Sequence, residues 1–317
     1  ADALKDGGTF PVRVEGDWLY GHGYASPLFY GDFFLYIAAF LRLTGFSIMA
    51  SYKMFLVLVT AATAAIGYFC IRRCLKDEYA ALFGSMVYLL SPYRLYNVYG
   101  RAAVGEYLGM TFLLPVCCGM YLLYKEDVEA KDYKNYKWYV VLGMSAVLQS
   151  HLVTTELAAF IMLVVCAVFW KWTFRRRTFL QLAQATGIVL LANAWFWCPM
   201  LYMMKQDVYH MQMLTESDVQ LSGIVFGNFL HLLPYGKYRY EARNDILIGA
   251  GMVSMLLLYA LWRAGRKGKE GACDFFAVSG VLALALSTRY FPWNLVIKLP
   301  VIGFAAASLQ FPWRWMS

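Results

Sequence analysis

Glu106 lies in the stretch SPYRLYNVYGRAAVGEYLGMTFLLP, residues 91–115, which is apolar on either side of an arginine-bearing bend. A charged side chain in such surroundings is costly unless it is paired, neutralised or turned to water, so it marks a candidate functional site. Arg94 and Arg101 flank Asn97 and Tyr99 in the same bend, and Gln149, His151 and Glu156 gather at a second break between apolar runs. A guanidinium presents a rigid fork of five donors that matches phosphate oxygens, so these arginines suit a phosphate-bearing lipid head group. The competing reading pairs Arg101 with Glu106 and extends the other arginines to the interface; the two stand level, since one arginine can do both. Glu106 can be a general base, a metal ligand or a partner that orients Arg101, and orientation demands least. His151 reads as a polar contact between helices ahead of a proton shuttle.

The elements that must hold these groups are membrane helices. Hydrophobic residues make up 61% of the chain, aromatic residues 18% and charged residues only 15%, outside the usual balance of soluble domains. The 317 residues have room for about eight spans of roughly 20 residues each. The reading is therefore one integral-membrane domain over 1–317, all-α, with external loops at 1–46 and 201–245. The absence of an initiator Met at Ala1 and the stop at Ser317 read as the ends of a fragment.

Apolar length predicts spans at 48–70, 79–91, 102–124, 138–150, 152–171, 178–200, 246–262 and 273–289. Two of them, 79–91 and 138–150, reach only about 20 Å of a roughly 30 Å core. Each must continue as kinked or non-helical chain at membrane depth, which is tolerated beside protein or a wet cavity. Short, interrupted helices lining an outward-facing cavity follow from that.

Loops 71–78, 125–137, 171–177 and 263–270 hold 15 of the 28 lysines and arginines and alternate with the spans, so they read as cytoplasmic. The bends at 92–101 and around His151, the loop 201–245 and the tail from 290 are then external. Segment 28–45 carries Asp32 and Arg42, ends at Gly45, and is expected to lie along the outer interface as a juxtamembrane helix. The loop 201–245, with Tyr209, His210, His231, Tyr235, Tyr238 and Tyr240, suits an external lid, although most of its tyrosines read as interfacial anchors.

Several chemistries are excluded by what is missing. The net charge of +8 follows topology and forms no nucleic-acid groove, and no Walker, GxGxxG, HExxH or GxSxG motif occurs. The seven cysteines lack metal-ligand context, and even Cys70 and Cys74, one turn apart, read as small buried hydrophobes. No metal and no cofactor is expected.

DALKDGGTFPVRV, YGHGYASPLFYGDFFLYIAAFLRLTGFS, the 91–115 stretch, SHLVTTELAA and LQFPWRW together resemble bacterial multi-spanning proteins of the GT-C glycosyltransferase superfamily. Within it they resemble the group labelled 6-pyruvoyl-tetrahydropterin synthase-related membrane domain; no residue here supports pterin chemistry. The resemblance implies transfer of a sugar from a polyprenyl-phosphate donor to a cell-envelope acceptor at the outer face of the cell membrane. Arg94, Arg101 and Arg314 would then grip phosphate, with Glu106 and His151 shaping the pocket. It also implies a catalytic acid in the first external loop after the first span, expected upstream of Ala1, since Asp2, Asp6, Asp17 and Asp32 do not match that motif. The alternative is a transporter or flippase of a lipid-linked precursor, or a non-catalytic scaffold for envelope assembly.

Overall fold

The computed structural model describes residues 10–206, 219–220, 223–225, 259–260, 263, 271–298 and 303. Among them the regular elements are all helical, and the only β pairing is two isolated bridges. In chain order the helices are α1 (Ser26–Phe29), α2 (Leu35–Leu43), α3 (Ile48–Leu75), α4 (Glu78–Leu89), α5 (Pro92–Tyr99), α6 (Val104–Lys125), α7 (Lys137–Leu148), α8 (Leu152–Val168), α9 (Trp170–Thr173), α10 (Arg176–Ala192), α11 (Ala194–Gln206), α12 (Gly271–Ser287) and α13 (Trp293–Val296). They form two compact units. The first holds the described residues to Leu89, Val104–Ala158 and those from Val164 to Gln206; the second holds Leu90–Ala103, Ala159–Leu163 and the described residues from 219 on.

In the first unit, α3 and α6 are each long and apolar enough to cross a membrane, making this an all-α membrane protein. Helix α3 starts where Ser47 Oγ accepts from the Ala50 N–H at 3.2 Å. It stops where Lys76 turns left-handed with φ 58°, its N–H closing on Arg72. Arg72 and Arg73 sit in its last turn, where the helix dipole favours cations. Helix α2 spans nine residues, about 14 Å, and ends before Gly45 at φ 106°. It therefore cannot cross, and its exposed Leu35, Ile37 and Phe40 are available to an interface.

Helix α6 is the hub: 67% of its apolar window is buried, against 28% for α3. Apolar solvent supplies no hydrophobic force between helices, so they associate through close packing and polar pairs. Thr63 and Thr111 pair at 2.8 Å, Thr60 and Tyr107 at 2.8 Å, and the Tyr88 hydroxyl donates to the Met110 carbonyl of α6 at 2.5 Å. On the other side α7 lies so close that a Cβ at Gly143 would sit 2.6 Å from Val116 Cγ2 and 2.9 Å from the Val116 nitrogen.

The short spans are as the apolar lengths required: α4 and α7 have 12 residues each, and each is followed by a break and a new helix. The span expected over 178–200 is broken: α10 and α11 meet at 69° around Asn193. The Asn193 side chain donates to the Val189 carbonyl four residues back at 2.8 Å, a competition with the backbone ladder that bends helices. Pro199 inside α11 has no N–H to offer the Trp195 carbonyl, and Arg13 Nη2 donates to that oxygen at 2.6 Å instead. The expected span 246–262 falls almost wholly outside the described residues.

The basic loops 71–78, 125–137 and 171–177 converge on one end of this unit, and 263–270 lies almost wholly outside the described residues. Arg73 donates to the Tyr136 hydroxyl at 3.0 Å, Lys76 pairs with Glu126 at 3.3 Å, and Arg177 pairs with Glu129 at 2.8 Å. The breaks at Tyr30–Asp32, Gln149–His151 and Asn193 lie at the other end of α6, about 33 Å away along its 22 residues.

The seam gives the first prediction. Gly143→Ala should destabilise the protein by about 1–3 kcal/mol, because its neighbours include backbone that cannot step aside. Gly187→Ala on α10, with open space around it, should be neutral or stabilising. Melting in detergent reads both.

Candidate functional site

Glu106 stands in the first turn of α6, where the helix dipole favours a carboxylate, and is 1% exposed. Next to it, Gly105 lies against the Tyr30 hydroxyl and the Ser150 carbonyl, and a Cβ there would strike both. Gly31 is pressed as closely onto the Gln149 backbone, with its missing Cβ 2.5 Å from the Gln149 carbonyl carbon. The stretch Tyr30–Asp32 is thereby threaded between the start of α6 and the α7–α8 break.

His151 caps α8. Its Nδ1 accepts from the Thr154 N–H at 3.3 Å and pairs with the Thr154 hydroxyl at 2.8 Å, so the neutral ring carries its proton on Nε2. A proton on Nδ1 would face the Thr154 N–H and abolish the cap, which favours the contact role over shuttling at that nitrogen. The Tyr30 ring meets the imidazole edge-on with centroids 5.9 Å apart. The Gln149 amide donates to Asn193 Oδ1 at 2.9 Å, and Asn193 donates on to Ser145 at 3.0 Å, joining the α7–α8 break to the α10–α11 bend.

Arg94 and Arg101 belong to the second unit. Pro92 opens α5 at a position where its missing N–H costs nothing, and the helix buries Tyr93, Arg94 and Asn97. Arg94 is 0% exposed. Arg101 folds back along α5, donating through Nη1 to Asn97 Oδ1 at 2.6 Å and to the Tyr93 hydroxyl at 3.5 Å. The Ala103 N–H closes the turn on the Asn97 carbonyl at 2.8 Å. The structure thus groups the sequence-derived residues in two sets, Arg94 with Arg101 and Glu106 with His151. Arg314 and almost all of loop 201–245 lie outside the described residues. Among the described residues no cluster of three or more His, Cys, Asp or Glu is placed to hold a metal ion.

Asp32 is the residue that sequence reasoning set aside. It is half-buried, and Tyr36 hydrogen-bonds its carboxylate while accepting from the Val12 N–H at 2.8 Å. Arg13 supplies a nearby positive charge and lies over the Trp195 ring, 5.1 Å from its centroid. Burial holds the Asp32 carboxyl above the usual carboxylate range, against the pull of its own backbone N–H, Arg13 and Tyr36. The signal in the sequence was Pro199, which orphans a carbonyl, but nothing there names Arg13 as its donor.

That shift predicts a pH dependence. A carboxyl whose folded pKa is raised contributes stability that is complete below the unfolded value near 3.8 and is lost as pH rises through the folded value. Asp32→Asn should therefore lose less stability than the parent as pH rises from the unfolded value through the raised folded one. Parallel melting curves check it; identical losses in both proteins would contradict it.

A family model described as a 6-pyruvoyl-tetrahydropterin synthase related domain, a membrane protein, matches residues 28–316. Searches of curated proteins and of solved structures return no match. The family match covers nearly the whole chain, and the chain belongs to that membrane-protein family.

Proposed function

Taking the chain as a member of that membrane family, we propose that it is a glycosyltransferase of the GT-C type. It moves a sugar from a polyprenyl-phosphate donor to a cell-envelope acceptor at the external face. The observation that carries the reading is Arg94, an arginine buried completely on an eight-residue helix between two breaks in apolar sequence. A guanidinium set in apolar sequence is a functional-site candidate, and phosphate is a group that its fork fits. Arg101 supports it: Asn97 and Tyr93 fix its orientation before any ligand arrives, the preorganisation that phosphate recognition requires.

Within the first unit, Glu106 at the dipole-favoured start of α6 and His151 at the cap of α8 are proposed as polar groups that face the acceptor. Asp32 supplies a carboxylate that burial makes more basic than usual, which suits a general base for the acceptor hydroxyl. Arg314 is retained as a third phosphate contact from the closing LQFPWRW motif. The concentration of basic residues at the other end of the first unit supports an external location for Asp32, Glu106 and His151, by the positive-inside rule.

The second reading, a flippase for a lipid-linked precursor, is favoured by the 69° bend at Asn193, since bent and broken helices are a device of transporters. One assay separates them. Purified protein in vesicles, given labelled polyprenyl-phosphate sugars and an acceptor panel, should release polyprenyl phosphate and label the acceptor. Arg101→Ala should lower kcat/KM by about 100-fold. Movement of intact donor between leaflets without bond cleavage would favour the flippase, and neither outcome across a broad donor panel would refute both.

A further inference from the structure

Residues 169–179, FWKWTFRRRTF, join α8 to α10 at the basic end of the first unit. Two threonines bolt this turn to the end of α6. Thr173 is buried, donates to the carbonyls of Cys166 at 2.9 Å and Phe169 at 3.1 Å, and pairs with the Tyr124 hydroxyl at 2.7 Å. Thr178 is 1% exposed and pairs at 2.8 Å with the Tyr133 hydroxyl, which donates to the Leu123 carbonyl at 2.8 Å.

With the threonines turned in, the rest of the turn faces out as alternating aromatics and cations. Trp170 is 57% exposed and Phe174 68%, and Phe174 stacks on Phe179 with centroids 5.9 Å apart. Arg175 lies over the Trp172 ring, 3.9 Å from its centroid, so its guanidinium is held in place beforehand. Lys171 and Arg176 are exposed beside it. Arg177 is committed to Glu129 and the Val128 carbonyl. No acidic residue occurs from Leu157 to Gln206, so the segment supplies nothing to cancel this charge.

We infer that this rigid turn is a binding site for anionic phospholipid. Free phosphate would explain the cations alone. The exposed indole and phenyl rings have their stable place at the head-group level of a bilayer, beside which the cations meet lipid phosphate. The aromatics give depth, and Lys171, Arg175 and Arg176 give the preference for negative charge. The site is independent of the glycosyltransferase reading, and it lies at the opposite end of α6 from Glu106.

The test uses the full chain in detergent with an equimolar mixture of phosphatidylglycerol and phosphatidylcholine, and native mass spectrometry to count the lipids retained. The parent should favour phosphatidylglycerol, and an excess of inorganic phosphate should not displace it. Arg175→Gln with Arg176→Gln should cut that preference by about thirtyfold, from two surface charges. Lys171→Gln alone should cut it less, and Lys131→Gln with Lys134→Gln on the neighbouring loop should leave it unchanged, all with the parent's melting temperature. Equal retention of both lipids by the parent, displacement by phosphate, or full preference in the double arginine variant would overturn the proposal. The first of these would mark the face instead as a docking surface for an acidic protein.

Discussion

The close approach of α7 to α6 at Gly143 governs the rest of the first unit. Helices surrounded by hydrocarbon gain nothing by hiding apolar surface from one another, so they cohere only where backbones come near and polar groups meet. With α7 seated on one side of α6, the threonine and tyrosine bonds at Thr63, Thr60 and Tyr88 fasten α3 and α4 on the other. A larger residue at 143 would displace the hub against which each neighbour is aligned.

The polar end of that unit follows from a second constraint. Wherever a helix stops short of the membrane's thickness, backbone groups are left without intrahelical partners at a depth where water is scarce. Side chains reach several of these groups. His151 accepts the Thr154 N–H, Asn193 adds a second donor to the Val189 carbonyl and links to Gln149, and Arg13 donates to the Trp195 carbonyl that Pro199 leaves open. The groups that look chemically active are therefore also structural closures. For His151 and Asn193 the closure accounts for much of their burial; Arg94 and Glu106 are buried as deeply.

The parts legible in the sequence were those set by length and by charge. Thirteen apolar residues cannot cross a bilayer, so the shortness of α4 and α7 could be read directly, and of the four lysine- and arginine-rich loops the three that are described meet at one end. Gly45 as the stop of α2 was equally plain. The bend at Asn193 was not, because hydropathy is uniform across 178–200 and the cause is one side chain turning back on its own helix. Nor was the approach of Arg13 to Asp32 and to the Trp195 ring, which only the tertiary fold brings about. The sequence identified Arg94, Arg101, Glu106 and His151 as unusual, but not that the arginines and the other pair belong to separate compact units.

The central claim is that the breaks at Tyr30–Asp32, Gln149–His151 and Asn193 lie at the external end of the chain and the basic loops at the internal end. Single cysteines placed at exposed Tyr20 and at exposed Lys131, in a background without the native exposed Cys117 and Cys198, test it in intact cells with a membrane-impermeant maleimide. The account predicts labelling at position 20 from outside, and labelling at position 131 only after the cells are opened. Labelling at 131 in intact cells, with 20 protected, would invert the topology and contradict the external site.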